Sequence, residues 1–262
     1  MRYISIGYGQ PPYQGRSAMA RARALREMLF LVGVIEDVRL LTPRMRRVRI
    51  CGPALKGLSW TPGQQVRVHV TDMFAARTWL RGAVGDVLRT YSIWAADADA
   101  GTLDLIVFDH VGDSPGNAWA RSAVPGQEVT FSRPQGDFVV RPGGYHLFAG
   151  DETASVAFGP MLGAIPETTP VHGVVEAGAA EDHLPLSRDL VRVERTGDAV
   201  PSEALIKAVQ ALDLPEEPGV AYLAGEARTL QAVRRHLVTE RGWPRRSVVT
   251  KPFWTPGKRG MD

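Results

Sequence analysis

Cysteine is almost missing from this sequence: Cys51 stands alone among 262 residues. That excludes an intrachain disulfide and any iron–sulfur cluster held by four cysteines of one chain. The six histidines (His69, His110, His146, His172, His183 and His236) are scattered, without an HxH or HExxH pairing, so no protein-held catalytic metal is expected. No apolar run approaches the roughly 18 residues that span a bilayer. The longest early run, residues 28–35, is short and leads into charged alternation. No signal-peptide cleavage pattern stands out, and the expectation is a cytoplasmic protein without membrane insertion. Redox chemistry in such a chain has to come from an organic cofactor.

What is present is the composition of an ordinary globular protein, 44% apolar and 23% charged, long enough for one large domain or two modest ones. The net charge of +3 is unevenly spread. Arg2, Arg16, Arg21, Arg23 and Arg26 crowd the first 30 residues, and Arg241, Arg245, Arg246, Lys251, Lys258 and Arg259 the last 22, whereas residues 167–217 are acidic. The basic termini are either solvated surface or a mouth that attracts anions such as nucleotide phosphates or catecholate complexes. Nucleic acid is the weaker reading, since no helix-turn-helix or stacking platform accompanies the charge.

Hydrophobic rhythm divides the chain. Residues 1–30 read as a basic arm. Strands are expected over 31–40, 45–51, 64–70, 89–94, 103–109 and 127–132; in the third, Val66, Val68 and Val70 alternate with Arg67 and His69. Turn signals at Pro43, Pro62-Gly63 and Pro125-Gly126 separate them, and the spacing suggests a small antiparallel barrel over 31–143. After Pro142-Gly143-Gly144 the pattern alternates: strand 145–149, helix 152–165, strands 170–176 and 188–196, helix 202–212, strand 219–224, helix 226–241, strand 247–252. Such alternation predicts a mostly parallel α/β nucleotide-binding domain over 144–262.

Two segments carry chemistry. Arg89-Thr90-Tyr91-Ser92-Ile93-Trp94 opens a strand with an arginine suited to a phosphate, a tyrosine suited to covering an apolar ring, and a hydroxyl beside them. His110-Val111-Gly112-Asp113-Ser114-Pro115-Gly116-Asn117-Ala118-Trp119-Ala120 is a glycine-rich loop running into a helix, with Asn117 as its expected cap; backbone N–H groups at such a turn suit a pyrophosphate. Trp119 reads as a core aromatic. Asp151 and Glu152 read equally well as acids favoured at a helix start.

Taken in order, RTYS, HVGDSPGNAWA, PQGDF, AGDETA and AGEA (Ala224–Ala227) resemble the motifs of the siderophore-interacting proteins, FAD-binding members of the ferredoxin-reductase superfamily. The resemblance implies an N-terminal Greek-key β-barrel that binds FAD, followed by an NAD(P)H-binding-like α/β domain. It assigns Arg89 to the FAD phosphates, Tyr91 to the isoalloxazine face and Ser92, beside Thr90, to the N5 region. His110, Gly112, Ser114, Gly116 and Asn117 would line the FAD loop. Asp151, Glu152 and Thr153 would edge the space between flavin and nicotinamide, with Trp254 close by. Lys251, Lys258 and Arg259 are the candidate substrate-side cations. There are departures: Gly116-Asn117 replaces alanine-serine, Trp94 stands where relatives commonly carry arginine, and Phe253-Trp254-Thr255-Pro256-Gly257-Lys258 replaces a YWRRG-like segment. The last departure bears on the nicotinamide.

The implied activity is flavin-dependent reduction of ferric siderophore, electron transfer proceeding through FAD and no acid–base dyad being required. NADH, NADPH or an electron-donor protein would reduce the flavin. The alternatives are a FAD-bound siderophore-binding or relay protein with little NAD(P)H turnover, and a general flavin or ferredoxin-type reductase.

Overall fold

The computed structural model describes residues 30–70, 88–110, 112, 114–197 and 200–258. The basic arm ahead of Phe30, and Arg259 at the other end, lie outside the described residues.

Six strands, β1 (Phe30–Leu40), β2 (Met45–Cys51), β3 (Gln65–His69), β4 (Leu88–Asp97), β5 (Thr102–Phe108) and β6 (Glu128–Ser132), close into a barrel in the order β1-β2-β5-β4-β3-β6. Every pairing is antiparallel, and β2 passes over β3 and β4 to join β5, the crossing of a Greek key. Alternation sorts the side chains: Val66 and Val68 of β3 go inside while Arg67 is exposed. On β2, Val48 and Ile50 enter the core, and Arg47 and Arg49 turn outward to Asp37 and Asp104. Arg49 grips Asp104 with two bonds of 2.7 and 2.8 Å, which is what permits that carboxylate to be buried. The helix α1 (Pro115–Ser122) then lays Trp119 and Ala120 on the barrel core.

The second half alternates: β7 (His146–Gly150), α2 (Glu152–Gly163), β8 (Val171–Ala177), β9 (Val191–Glu194), α3 (Glu203–Gln210), β10 (Val220–Glu226), α4 (Ala227–Arg235) and β11 (Val248–Trp254). Its five strands are parallel in the order β11-β10-β7-β8-β9. Central strands β7 and β10 are buried along their whole length, as a sheet covered on both faces requires. The strand expected over 188–196 shortens to Val191–Glu194, because β9 is an edge with β8 as its only ladder. The helix expected over 226–241 starts one residue later and relaxes into a π turn, His236–Glu240. Glu226 stays in β10 and caps α4 with its side chain.

From β7 the chain steps to β8 and β9, then returns across the sheet to β10 and β11. The order thus reverses between β7 and β10. Open α/β sheets bind ligands beyond the carboxyl ends of the strands at such a reversal. Among the described residues no helix is long and apolar enough to cross a membrane.

Candidate functional site

The two chemistry-bearing segments of the barrel meet. Strand β4 pairs with β3 so that Arg89, Thr90, Tyr91 and Ser92 stand opposite Val68, Arg67, Val66 and Gln65. Tyr91 stacks on Trp119 of α1, with ring centroids 5.6 Å apart and planes inclined by 29°. A Cβ at Gly116 would lie 2.7 Å from the Tyr91 hydroxyl and 3.5 Å from Cγ of Arg89, so only glycine permits this approach of helix to strand. Burial pushes the Tyr91 phenol well above its usual pKa, against the pull of Arg89, and it stays a neutral hydroxyl.

The loop is pinned by its own polar groups. Ser114, not Asn117, caps α1: its Oγ accepts from the Asn117 amide at 3.2 Å and lies 3.2 Å from Nε2 of His110. Asn117 lies inside the first turn, and its amide nitrogen donates back to the carbonyls of His110 at 2.5 Å and Gly112 at 3.3 Å. Proline at the first helical position explains the shift, since it sets the helical φ and leaves Ser114 as the last extended residue. A guanidinium, a neutral aromatic, hydroxyls and a helix start on one rim make a donor set that suits an anionic, ring-bearing group such as FAD. Trp119 is 5% exposed, the core aromatic expected.

The second constellation fills the reversal point of the sheet. Asp151 follows β7 directly and caps α2, accepting from the amides of Thr153 at 2.9 Å and Ala154 at 3.3 Å and from the Thr153 hydroxyl. Its other oxygen accepts from the Glu226 amide at 2.9 Å and from the Trp254 indole N–H at 2.8 Å. Gly225, with φ at +121°, brings β10 against that carboxylate; a Cβ there would sit 2.4 Å from Oδ2. The place where a phosphate would meet the α2 N-terminus is therefore occupied by the chain's own carboxylate.

Around it lie three more buried acids. Arg195, just past β9, pairs with Glu152 through both terminal nitrogens and reaches Glu176 at 3.1 Å. Ser202 donates to the other oxygen of Glu176. Glu226 accepts from Thr229 and, at 3.0 Å, from the Thr255 hydroxyl. Burial and the neighbouring Asp151 push Glu152 above the usual carboxylate range, with Arg195 opposing them. Burial also works against the charge of Glu226, but amides of Arg228 and Thr229 and the Thr229 and Thr255 hydroxyls outweigh it and hold the pKa below normal. The crevice between these groups has room for about one water molecule. Arg195, the cation lining it, is engaged by Glu152 and Glu176.

Sequence reasoning singled out Asp151, Thr153 and Trp254 but missed Glu176, Arg195, Ser202 and Thr229. Glu226 was visible in AGEA; Arg195, an arginine ending a short strand, offered only a weak signal. Trp254 lies with its ring 6.0 Å from the Arg195 guanidinium carbon and is fastened to Asp151. Lys251 is half-buried on the edge strand β11 and Lys258 exposed beyond it, both away from the RTYS strand in sequence.

Comparison with known proteins matches these features to one group. Residues 34–138 match the siderophore-interacting FAD-binding domain and residues 144–257 the siderophore-interacting protein domain. The chain is 28% identical over 242 residues to the mycobactin import ATP-binding/permease protein IrtA of Mycolicibacterium thermoresistibile, covering 86% of this chain and 25% of IrtA. It is 28% identical over 178 residues to the ferric vibriobactin reductase ViuB of Vibrio cholerae, covering 66% of each. The chain thus spans a quarter of IrtA and just under two thirds of ViuB. The structure of the siderophore-interacting protein SipS from Aeromonas hydrophila superposes with a TM-score of 0.75 at 22% identity, covering 88% of this chain and 93% of SipS. With both halves matched in sequence order, the chain belongs to the siderophore-interacting protein family.

Proposed function

We propose that this chain is a FAD-dependent oxidoreductase that reduces a ferric siderophore and so releases the iron as Fe(II). The observation that carries the reading is the meeting of the RTYS strand and the 110–117 loop at Gly116, inside a segment matched as a FAD-binding domain. Bound FAD would supply a two-electron store that discharges one electron at a time, which is what two successive ferric complexes need. The siderophore iron is substrate, and Fe(II) holds hard oxygen ligands more weakly than Fe(III).

The chain's own residues would do the rest. Arg89 would pair the FAD phosphates, with the backbone amides of Gly112, Ser114 and Gly116 as further donors. Tyr91, kept neutral by burial, would add its remaining ring surface to the isoalloxazine, and Ser92 would offer a hydroxyl beside it. Lys251 and Lys258, joined by Arg259, would favour an anionic siderophore complex.

A second reading, a relay protein that takes electrons from a partner with little NAD(P)H turnover, is favoured by the crevice. Two of the four buried carboxylates there already bond the one guanidinium, and a pyrophosphate would have to displace Asp151 from the α2 cap. The visible spectrum of purified protein tests the flavin. Stopped-flow bleaching with NADH or NADPH, then reoxidation by ferric siderophore, tests donor and acceptor. Colourless protein that ignores added FAD overturns the proposal.

A further inference from the structure

We infer that Trp94 is a positioning residue: wedged against Gly159 of α2, it fixes the RTYS strand relative to the sheet crevice. The inference rests on the FAD reading above. Trp94 follows Ser92 by two residues, so strand alternation carries the same face of β4 from Thr90 and Ser92 on to Trp94. The β4–β5 register shifts between Ile93 and Ala95, and a bulge there re-aims the side chain between them. The indole is thereby delivered onto α2. A Cβ at Gly159 would lie 2.2 Å from Cζ3 and 2.5 Å from Cη2 of the Trp94 ring, so the wedge needs a bare backbone at that helix position.

The contact is the centre of a seam between barrel and sheet. Met45 and Ile106 of the barrel pack with Val156 of α2 and Leu184, and Trp94 and Phe108 close over them. Beside it, Arg44 of the β1–β2 turn bonds Asp182 at 2.8 Å and lies 4.9 Å over the Phe108 ring. Asp182 is 2% exposed, whereas the Arg44 side chain is 34% exposed, so the pair lies at the rim of the seam with its carboxylate side buried.

Gly159 stands eight residues beyond Asp151, about 12 Å along α2 at 1.5 Å per residue, with Pro160 next to it inside the helix. A shift of α2 against Trp94 therefore moves Asp151, and with it the Trp254 and Glu226 bonds, at the other end. The same shift pushes β4 two residues from Ser92. One apolar contact thus couples the strand that would hold the flavin to the crevice of the second half.

The test is a pair of substitutions designed to compensate. Gly159→Ala places a methyl where the far ring atoms of Trp94 lie; Trp94→Phe removes those atoms and makes room. In FAD-loaded protein, Gly159→Ala should alter the visible circular dichroism of the flavin. It should also slow reoxidation by ferric siderophore about tenfold or more, since small misplacements of a positioned group cost up to about 100-fold. FAD affinity should stay within about twofold, because Arg89 stands five residues, about 16 Å, up β4 from Trp94. Adding Trp94→Phe should restore both signals toward the Trp94→Phe single variant. A merely structural role would lower the melting temperature of Gly159→Ala but leave the flavin dichroism unchanged, and that result overturns the inference. So does a double variant no better than Gly159→Ala. If even the unsubstituted protein binds no FAD, the flavin reading fails on its own. The wedge is then decided by apo-protein thermal unfolding, where Trp94→Phe must rescue Gly159→Ala.

Discussion

Replacing Arg195 with methionine removes the guanidinium that spans two buried acids while keeping much of the side chain's length. Glu152 and Glu176 are each 2% exposed, and Arg195 bonds both. Deleting one partner of a buried ion pair costs about 3–5 kcal/mol. The Arg195 side chain is 18% exposed, so water at the rim replaces part of it, and the low end, about 3 kcal/mol, is expected. At about 2–4 °C per kcal/mol for a chain of this size class, the melting temperature should fall by about 6–12 °C. The loss should depend on pH. Glu152 already has a folded pKa above its unfolded one, so the folded state binds its proton more tightly and stability falls as pH rises from the unfolded value through the folded one. Without Arg195 the folded pKa climbs further. The deficit of the variant is then complete above the new pKa and shrinks on acidification toward the parent's folded value. Thermal unfolding by circular dichroism at about pH 8 and about pH 5 reads both effects, and Glu152→Gln in the Arg195→Met background should recover part of the loss. A melting temperature within about 2 °C of the parent at the higher pH, or a deficit that grows on acidification, would refute the reasoning.

Arg89→Ala should weaken FAD binding by roughly 1.5–3 kcal/mol, the range for a charge-assisted hydrogen bond; an unchanged dissociation constant in a fluorescence titration removes Arg89 from the phosphate site. Gly116→Ala sets a methyl against the Tyr91 hydroxyl and should cost FAD affinity about tenfold, with Tyr91→Phe relieving part of it; full affinity in the single variant shows that α1 yields freely. Flavin reduction by NADH and NADPH should be slow and should quicken in Trp254→Ala, which loosens the Asp151 cap; fast reduction of the parent protein shows that the crevice admits dinucleotide as it stands. If Lys251 and Lys258 draw in an anionic complex, its apparent affinity should fall as the Debye length shortens from about 30 Å at 0.01 M salt to about 8 Å at 0.15 M, and equal affinities across that range reduce the lysines to surface charge.

Both the barrel and the parallel sheet were legible in the chain, because each rests on a local period that burial enforces. Val66 and Val68 alternate with Arg67 as a half-buried strand requires, and β7 and β10 are buried throughout and apolar except at His146 and Glu226, as a sheet covered on both faces requires. The RTYS strand and the 110–117 loop were visible as chemistry because an arginine, an aromatic and a glycine-rich helix start are local combinations. The cap of α1 was misread by three residues, since Ser114 and Asn117 are both good caps and Pro115 settles the choice only through its fixed φ.

The rest depended on residues far apart in the chain. That Asp151 holds Trp254 across 103 residues, that Arg195 answers Glu152 across 43, and that Trp94 finds a bare backbone at Gly159 are matters of where the sheet order and the seam bring the elements. Composition and spacing determined which residues could carry charge, stack or bend. Only the tertiary structure decided which carboxylates are satisfied by their own chain, because a buried charge persists through partners that no local pattern names.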